Sequence, residues 1–219
     1  MQVTAAITPT ESLTAAAAAA RRELPPIVPT PAEQDAAIQT QEKHRPIVVG
    51  VTPTCPYGLS ACWGGAYEAL SRLHGVRLVR PVPNAEDSTA YVYLHHDGLP
   101  DIDGWPAQFA KVANGSHLFR GVEVTVEGVV ESHPLGVLVM RGSDKRSPLL
   151  LEPLAASAKI QWDSARASIK PLEPEEEQAY PTLLARVKAA GGSLIGTITG
   201  PLDKSANDYI VQVRQFSAS

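Results

Sequence analysis

Cys55 and Cys62 are the two cysteines of this 219-residue chain, and both fall in one stretch, CPYGLSAC. Two sulfurs this close in sequence either close a small ring or converge on one guest. A soft monovalent ion such as Cu(I) is satisfied by two thiolates, whereas Zn(II) asks for four nitrogen or sulfur ligands. Cys62 stands just before a helical pattern, where the helix N-terminus favours the thiolate, and with it metal binding and oxidation alike. Pro56 and Gly58 favour a turn that brings the two residues together. Three readings therefore stand side by side: a metal site with Cys55 and Cys62 as ligands, a disulfide that is structural or redox-active, and a buried Cys62 without function.

The elements around this loop follow from periodicity. Ile47, Val48, Val49 and Val51 make a short buried strand before it. After it Trp63, Tyr67, Leu70 and His74 fall at helical spacing, with Ala66, Ala69 and Leu73 beside them and Gly75 as the stop. A second strand over Val76 to Val82 follows, then a third, AYVYLHH. A second helix has Asp103 as its expected N-cap, Trp105, Phe109 and Val112 on one face, and Asn114 with Gly115 at its end. A fourth strand, FRGVEVTVEG, alternates Val122, Val124 and Val126 with Glu123, Thr125 and Glu127. This order, βαββαβ, is the ferredoxin-like one.

Beyond Gly128 the chain is rich in short apolar runs, VVES, GVLVM, PLLLEPL and KIQWD, and then in a helix that starts at Pro174 with Glu175, Glu176 and Glu177. Two more strands, SLIGTITG and YIVQVRQF, bracket PLDKSAND. Strands, a helix and two strands are the order of an OB-like barrel. The expected fold is thus α+β: a tail without fixed contacts over 1–44, a ferredoxin-like domain over 45–127 and an OB-like β-barrel over 128–219. The tail carries Ala15 to Ala20, a short helical stretch over Glu11 to Glu23, and the prolines of LPPIVPTP, with few large apolar residues to anchor it. The last strand of the first domain and the first of the second read as one continuous run.

The stretch GVTPTCPYGLSACWGGAYEALSRLHGVRLV resembles the first strand, loop and helix of the heavy-metal-associated domain family, whose signature is G-M-T-C-x-x-C before a helix ending in L-x-G-V. Cys62, Glu68, Ala69, Leu70, Leu73, Gly75 and Val76 occupy the corresponding places. The resemblance implies a ferredoxin-like fold over about 80 residues, Ile47 to Glu127, and binding of Cu(I) or another soft metal ion. The chain departs from the signature at the site itself. Leu59 stands where the first cysteine is expected, and Cys55 lies further upstream.

Charge narrows the partners. The formal net charge of −4 divides as −2 over 1–44, 0 over 45–122 and −2 over 123–219, so no segment attracts phosphate over distance. Tyr91, Tyr93 and His95 alternate as in an RNA-binding sheet, but the face of the fourth strand would carry Glu123 and Glu127 against the phosphates. No nucleic-acid partner is expected; a partner protein is. No run suits a membrane span and no leader is visible, so the chain reads as soluble. Nucleophile, phosphate-loop and metal-helix motifs are missing, so no enzymatic activity and no catalytic residue are expected. His95 and His96 read as solvated strand-end residues and His74 as part of a helix cap. No role follows for His117 or His133. The expected function is a non-enzymatic metal-binding or metal-responsive module with an OB-like interaction half. The alternative is an assembly subunit with a degenerate or disulfide-closed cysteine loop.

Overall fold

Apolar β-branched runs set the first sheet. A computed structural model describes residues 29–133, 136–142, 148–206 and 208–218 of the chain. Strand β1 (Ile47–Pro53) is flanked by β3 (Thr89–Leu94) on one side and the start of β4 (His117–Ser132) on the other. Strand β2 (Val76–Val79) pairs with β3, which makes the order β4-β1-β3-β2. Every neighbour is antiparallel, and Val49 sits opposite Ala90 in β3 and Val122 in β4. One side of this sheet is covered by α3 (Trp63–Ser71), which follows the one-turn helix α2 (Gly58–Ala61), and by α4 (Trp105–Ala113). Helices α3 and α4 also pack on each other.

Local chemistry accounts for the helix ends. Asn114 takes a left-handed conformation at the C-cap of α4, φ 46°, which its short polar side chain tolerates. Gly104, rather than the expected Asp103, occupies the N-cap, and Asp101 Oδ1 accepts a hydrogen bond from its N–H at 2.9 Å. The face α3 buries is Ala66, Ala69 and Leu70; Tyr67 lies at its margin, 37% exposed, edge-on to Trp63. Small alanines let the helix approach the sheet closely, and Trp105 and Phe109 of α4 fill the remaining volume.

Strand β4 is 16 residues long and belongs to two layers at once. Its first part pairs with β1, and from Glu123 onward it pairs with β9 (Ser193–Ser205). Strands β5 (Leu138–Gly142) and β6 (Leu149–Pro153) follow it in antiparallel steps. Strand β10 (Asp208–Val213) runs parallel to β6 and antiparallel to β9, so the pairing returns to β4 and the circuit closes. Leu138, Met140, Leu151, Ile198, Val211 and Val213 fill it. Helix α5 (Pro174–Ala189) packs Ala179, Leu183 and Val187 against these strands, and a reciprocal Glu173/Glu176 capping box holds its start. Strand β11 (Gln215–Ala218) extends β9 at the outer edge. The residues expected to form a turn, Pro201 onward, continue β9 instead. Pro201 is at the end of the β9–β4 ladder, where a missing N–H is tolerated.

The run expected to be continuous across 127/128 is strand β4, and the chain from Pro31 onward is one compact unit. The segment expected as a strand, KIQWD, contributes only β7 (Trp162–Asp163), which pairs with β8 (Ser168–Ile169) beyond it; the rest lies across the first sheet. Its approach is close. A Cβ on Gly50 would stand 2.9 Å from the Ile160 carbonyl oxygen, so only glycine fits there.

The tail expectation also changes over its last part. Residues Pro31–Gln41 form helix α1, and Asp35 on it is buried. Arg80 grips that carboxylate with two bonds, Nε to Oδ1 at 2.7 Å and Nη2 to Oδ2 at 2.5 Å. Glu42 pairs with Arg77, and His44 Nδ1 lies 2.6 Å from Asp97. The expected short helix over Glu11 to Glu23 lies outside the described residues.

Candidate functional site

The cysteine loop begins where β1 ends. Thr54 anchors it, its N–H donating to the Ser116 carbonyl at 3.0 Å and its Oγ1 to the Gly115 and Ser116 carbonyls at 3.1 and 2.9 Å. Gly58, with φ at 77°, turns the chain back into α2. Leu59 then enters the core, 1% exposed. Leu59 is thus the apolar anchor of the loop between Cys55 and Cys62.

Cys62 sits at the joint between α2 and α3, as the C-cap of one and the N-cap of the other. Cys55 and Cys62 are joined by a disulfide, with Cα atoms 7.1 Å apart. Of the three readings open from the sequence, this geometry brings the two residues together as a closed ring. In that state neither sulfur is a thiolate, so the pair has no lone ligand to offer until it is reduced. Both cysteines are half-buried, while Tyr57 between them is 80% exposed.

His117, for which the sequence suggests no role, lies beside this loop. It opens β4 opposite Pro53, is 4% exposed, and its Nδ1 is 2.9 Å from Ser116 Oγ. A Cβ on Gly65 of α3 would lie 3.4 Å from its Cε1. Its Nε2 is sealed and finds no well-formed hydrogen bond. Burial pushes the imidazole below its ordinary pKa, and the Cys62 backbone offsets part of that shift. The sequence signal was available in part: a histidine at the start of a strand whose partner ends at the cysteine loop.

The other histidines do not join the cysteines. His95 and His96 are exposed in the bend after β3. Arg72, rather than His74, is the C-cap of α3, and the His74 backbone binds α4 instead, its carbonyl accepting from Trp105 Nε1 at 3.0 Å and its N–H donating to Gln108 Oε1 at 2.8 Å. Among the described residues no group of three or more His, Cys, Asp or Glu side chains converges as a metal cage. A two-sulfur site is smaller than such a cage and is not judged by it.

A second polar constellation was not legible in advance. Glu123 of β4, 2% exposed, receives Arg214 in a fork, Nε to Oε2 at 2.6 Å and Nη2 to Oε1 at 2.7 Å. Arg214 Nη1 reaches Glu176 Oε1 at 3.4 Å, and Lys159 Nζ donates to Glu176 Oε2 at 2.6 Å and to the Pro171 carbonyl at 2.7 Å. Burial pushes the Glu176 carboxyl up, but Lys159, the Glu173 backbone and Arg214 outweigh it, and the carboxyl lies below its usual range. Each charge has an opposite partner, so the network ties β4, α5 and the crossing segment together. The aromatics of the first sheet are likewise engaged: Tyr91 lies 4.4 Å beneath the Arg80 guanidinium, and Tyr93 is buried.

No helix among the described residues is long and apolar enough to cross a membrane. The chain matches no family model, no curated protein and no solved structure.

Proposed function

We propose that the protein is a non-enzymatic assembly module that contacts a partner protein through the disulfide-closed loop Cys55–Cys62. The observation that carries this reading is Tyr57, 80% exposed at the tip of a ring whose two ends are covalently joined. An aromatic side chain held on a rigid ring loses little freedom when it is covered, which is the property of interface anchors. The order β4-β1-β3-β2 with helices α3 and α4 supports a ferredoxin-like first half. The closed circuit with a parallel β6–β10 step and α5 between β6 and β9 supports an OB-like second half.

The metal reading keeps one specific support: the two sulfurs are already in bonding contact, so reduction places two thiols side by side. Two adjacent thiolates are what Cu(I) needs, and the resemblance to heavy-metal-associated domains points the same way. One experiment separates the two readings. A photo-crosslinking residue is placed at Tyr57 in the native host, in the parent chain and in a Cys55→Ser/Cys62→Ser chain. In parallel, the reduced parent chain is titrated with Cu(I) under anaerobic conditions. The assembly reading expects one dominant crosslinked partner, lost or weakened in the double serine chain, and no stoichiometric Cu(I) uptake. One equivalent of Cu(I) bound by the reduced chain, with no partner at Tyr57, would replace it with the metal reading.

A further inference from the structure

Arg120 presents an unmatched charge. It lies on β4, half-buried, and its Nε is sealed from solvent without a hydrogen-bond partner. Among the described residues no carboxylate pairs with it, although Arg45, Arg72, Arg77, Arg80, Arg141 and Arg214 all have one. Its guanidinium lies over the Trp162 ring, 4.5 Å from the ring centroid. Burial alone pushes its pKa down from the ordinary value, with no acidic neighbour to hold it up. A charge taken out of water is ordinarily paired, since desolvation without a counter-ion is costly. Among the described residues no carboxylate takes that place for Arg120.

Arg120 lines a cleft of about 390 Å³ at the fork where β9 leaves β4. Ile102, Phe119, Ile160 and Leu202 supply apolar wall, and the volume lies in the range of small-molecule sites. Lys204, the other cation on the wall, is already paired with Asp103. Asp103 and Asp203 also stand on the wall, the first paired with Lys204 and the second accepting from the Lys204 N–H, so the cleft combines a mixed lining with one arginine that no carboxylate of the described residues pairs. Trp162 lies against that guanidinium, and a guanidinium fork matches a planar, two-oxygen anion.

We propose that this cleft binds a small organic acid, its apolar body on Phe119, Ile160 and Leu202 and its carboxylate on Arg120. The proposal is independent of the cysteine loop and involves no covalent step.

The test uses 3-phenylpropanoate and its neutral analogue 3-phenylpropanamide on the full chain, read by titration calorimetry and by tryptophan fluorescence. The acid should bind saturably and the amide about tenfold or more weakly, the difference of a charge-assisted bond. Arg120→Met should remove the preference for the acid and leave the weaker binding of both probes alike. A Trp162→Phe chain should lose the fluorescence response while calorimetry still detects the acid. Equal affinity for acid and amide, no heat with the acid up to millimolar concentration, or an unchanged acid preference in a folded Arg120→Met chain would overturn the proposal. Should Arg120→Met not fold, the acid and amide titrations of the parent chain decide alone. Because the cleft does not depend on the disulfide, acid binding should be the same in the Cys55→Ser/Cys62→Ser chain, whatever becomes of Tyr57 and its partner.

Discussion

Cys55 and Cys62 close a ring across a sequence separation of 7, and the ring starts at the end of β1 and finishes at the start of α3. A crosslink of that loop length removes about 2.5 kcal/mol of chain entropy from the unfolded state. The Cys55→Ser/Cys62→Ser chain should therefore be less stable by about 2 kcal/mol, and a reducing agent should lower the parent chain by the same amount without affecting the double variant. Denaturant unfolding with and without reductant measures both, and a parent chain indifferent to reductant would show the ring to be open in solution. Glu123 poses a different question, because it is buried with Arg214 forked onto it. Removing one member of a buried pair leaves the other charged and unmatched, at a cost of about 3–5 kcal/mol, whereas removing both is often close to neutral. Glu123→Leu should thus be severely destabilising and Glu123→Leu/Arg214→Met much less so, since Glu176 keeps Lys159 when Arg214 is gone. A double variant as unstable as the sum of its parts would mean that Glu123 and Arg214 act independently, and that the cost of losing either does not come from leaving the other unmatched.

Helix α1 shows where reading by apolar pattern stops working. PAEQDAAIQTQ has no apolar stripe, so composition alone assigns it to a tail, yet it docks by a carboxylate: Asp35 is its one buried residue, held by Arg80. Polar docking leaves no periodic signal, and nothing in the sequence pairs Asp35 with a residue 45 positions away. Helices α3, α4 and α5 were legible because burial of Ala66, Ala69, Leu70, Phe109, Leu183 and Val187 follows helical spacing. The disulfide was legible only as one of three readings, since spacing cannot say whether two sulfurs face each other. Leu59 decided the loop path, and its role shows only once it is buried. The docking of α1 makes a pH prediction. Hydrogen bonds from Arg80 hold the Asp35 carboxyl below its ordinary range, with burial opposing and Gln39 assisting. The docked state thus binds fewer protons than the released one. Docking is at full strength above about pH 3.9, the ordinary Asp value, and is lost as pH falls through the lowered value of the docked state. Protection of the amides over 31–41, taken relative to the intrinsic exchange rate at each pH, should be high at neutral pH and fall in acid before that of the core strands does. Asp35→Asn should give fast exchange at every pH, at a cost of about 2 kcal/mol in docking. Equal exchange in the parent and Asp35→Asn chains would show that Asp35 does not hold the helix.

At the scale of the molecule, the division into two domains expected from the order of elements meets a strand that serves both. Glu123 is the pivot: it pairs with Val48 of β1 on one side and with Pro201 of β9 on the other, and its side chain holds Arg214 from beyond β10. The crossing segment adds a second tie, with the Ile160 carbonyl against Gly50, the Trp162 N–H donating to the Asp87 carbonyl at 2.9 Å, and Lys170 Nζ on Asp87 Oδ1 at 2.7 Å. Excising residues 29–127 would remove Arg214, Lys159 and Ile160 at once. Glu123 would be left charged against an apolar sheet, and the glycines that admit the crossing segment would face water. Independent domains require few crossing contacts, and cooperative unfolding follows where the contacts are many and buried. The full chain from residue 29 onward should therefore unfold in one transition, with calorimetric and van't Hoff enthalpies equal. Fluorescence of Trp63 and Trp105, both in the first half, should change together with amide exchange in β6 and β10. The fragment 29–127 should lack a cooperative transition under the same conditions. If that fragment unfolds cooperatively near the temperature of the whole chain, or if the whole chain shows two separated transitions, β4 is a shared strand without shared stability. The boundary after Glu127 would then be a true domain border that the strand happens to cross.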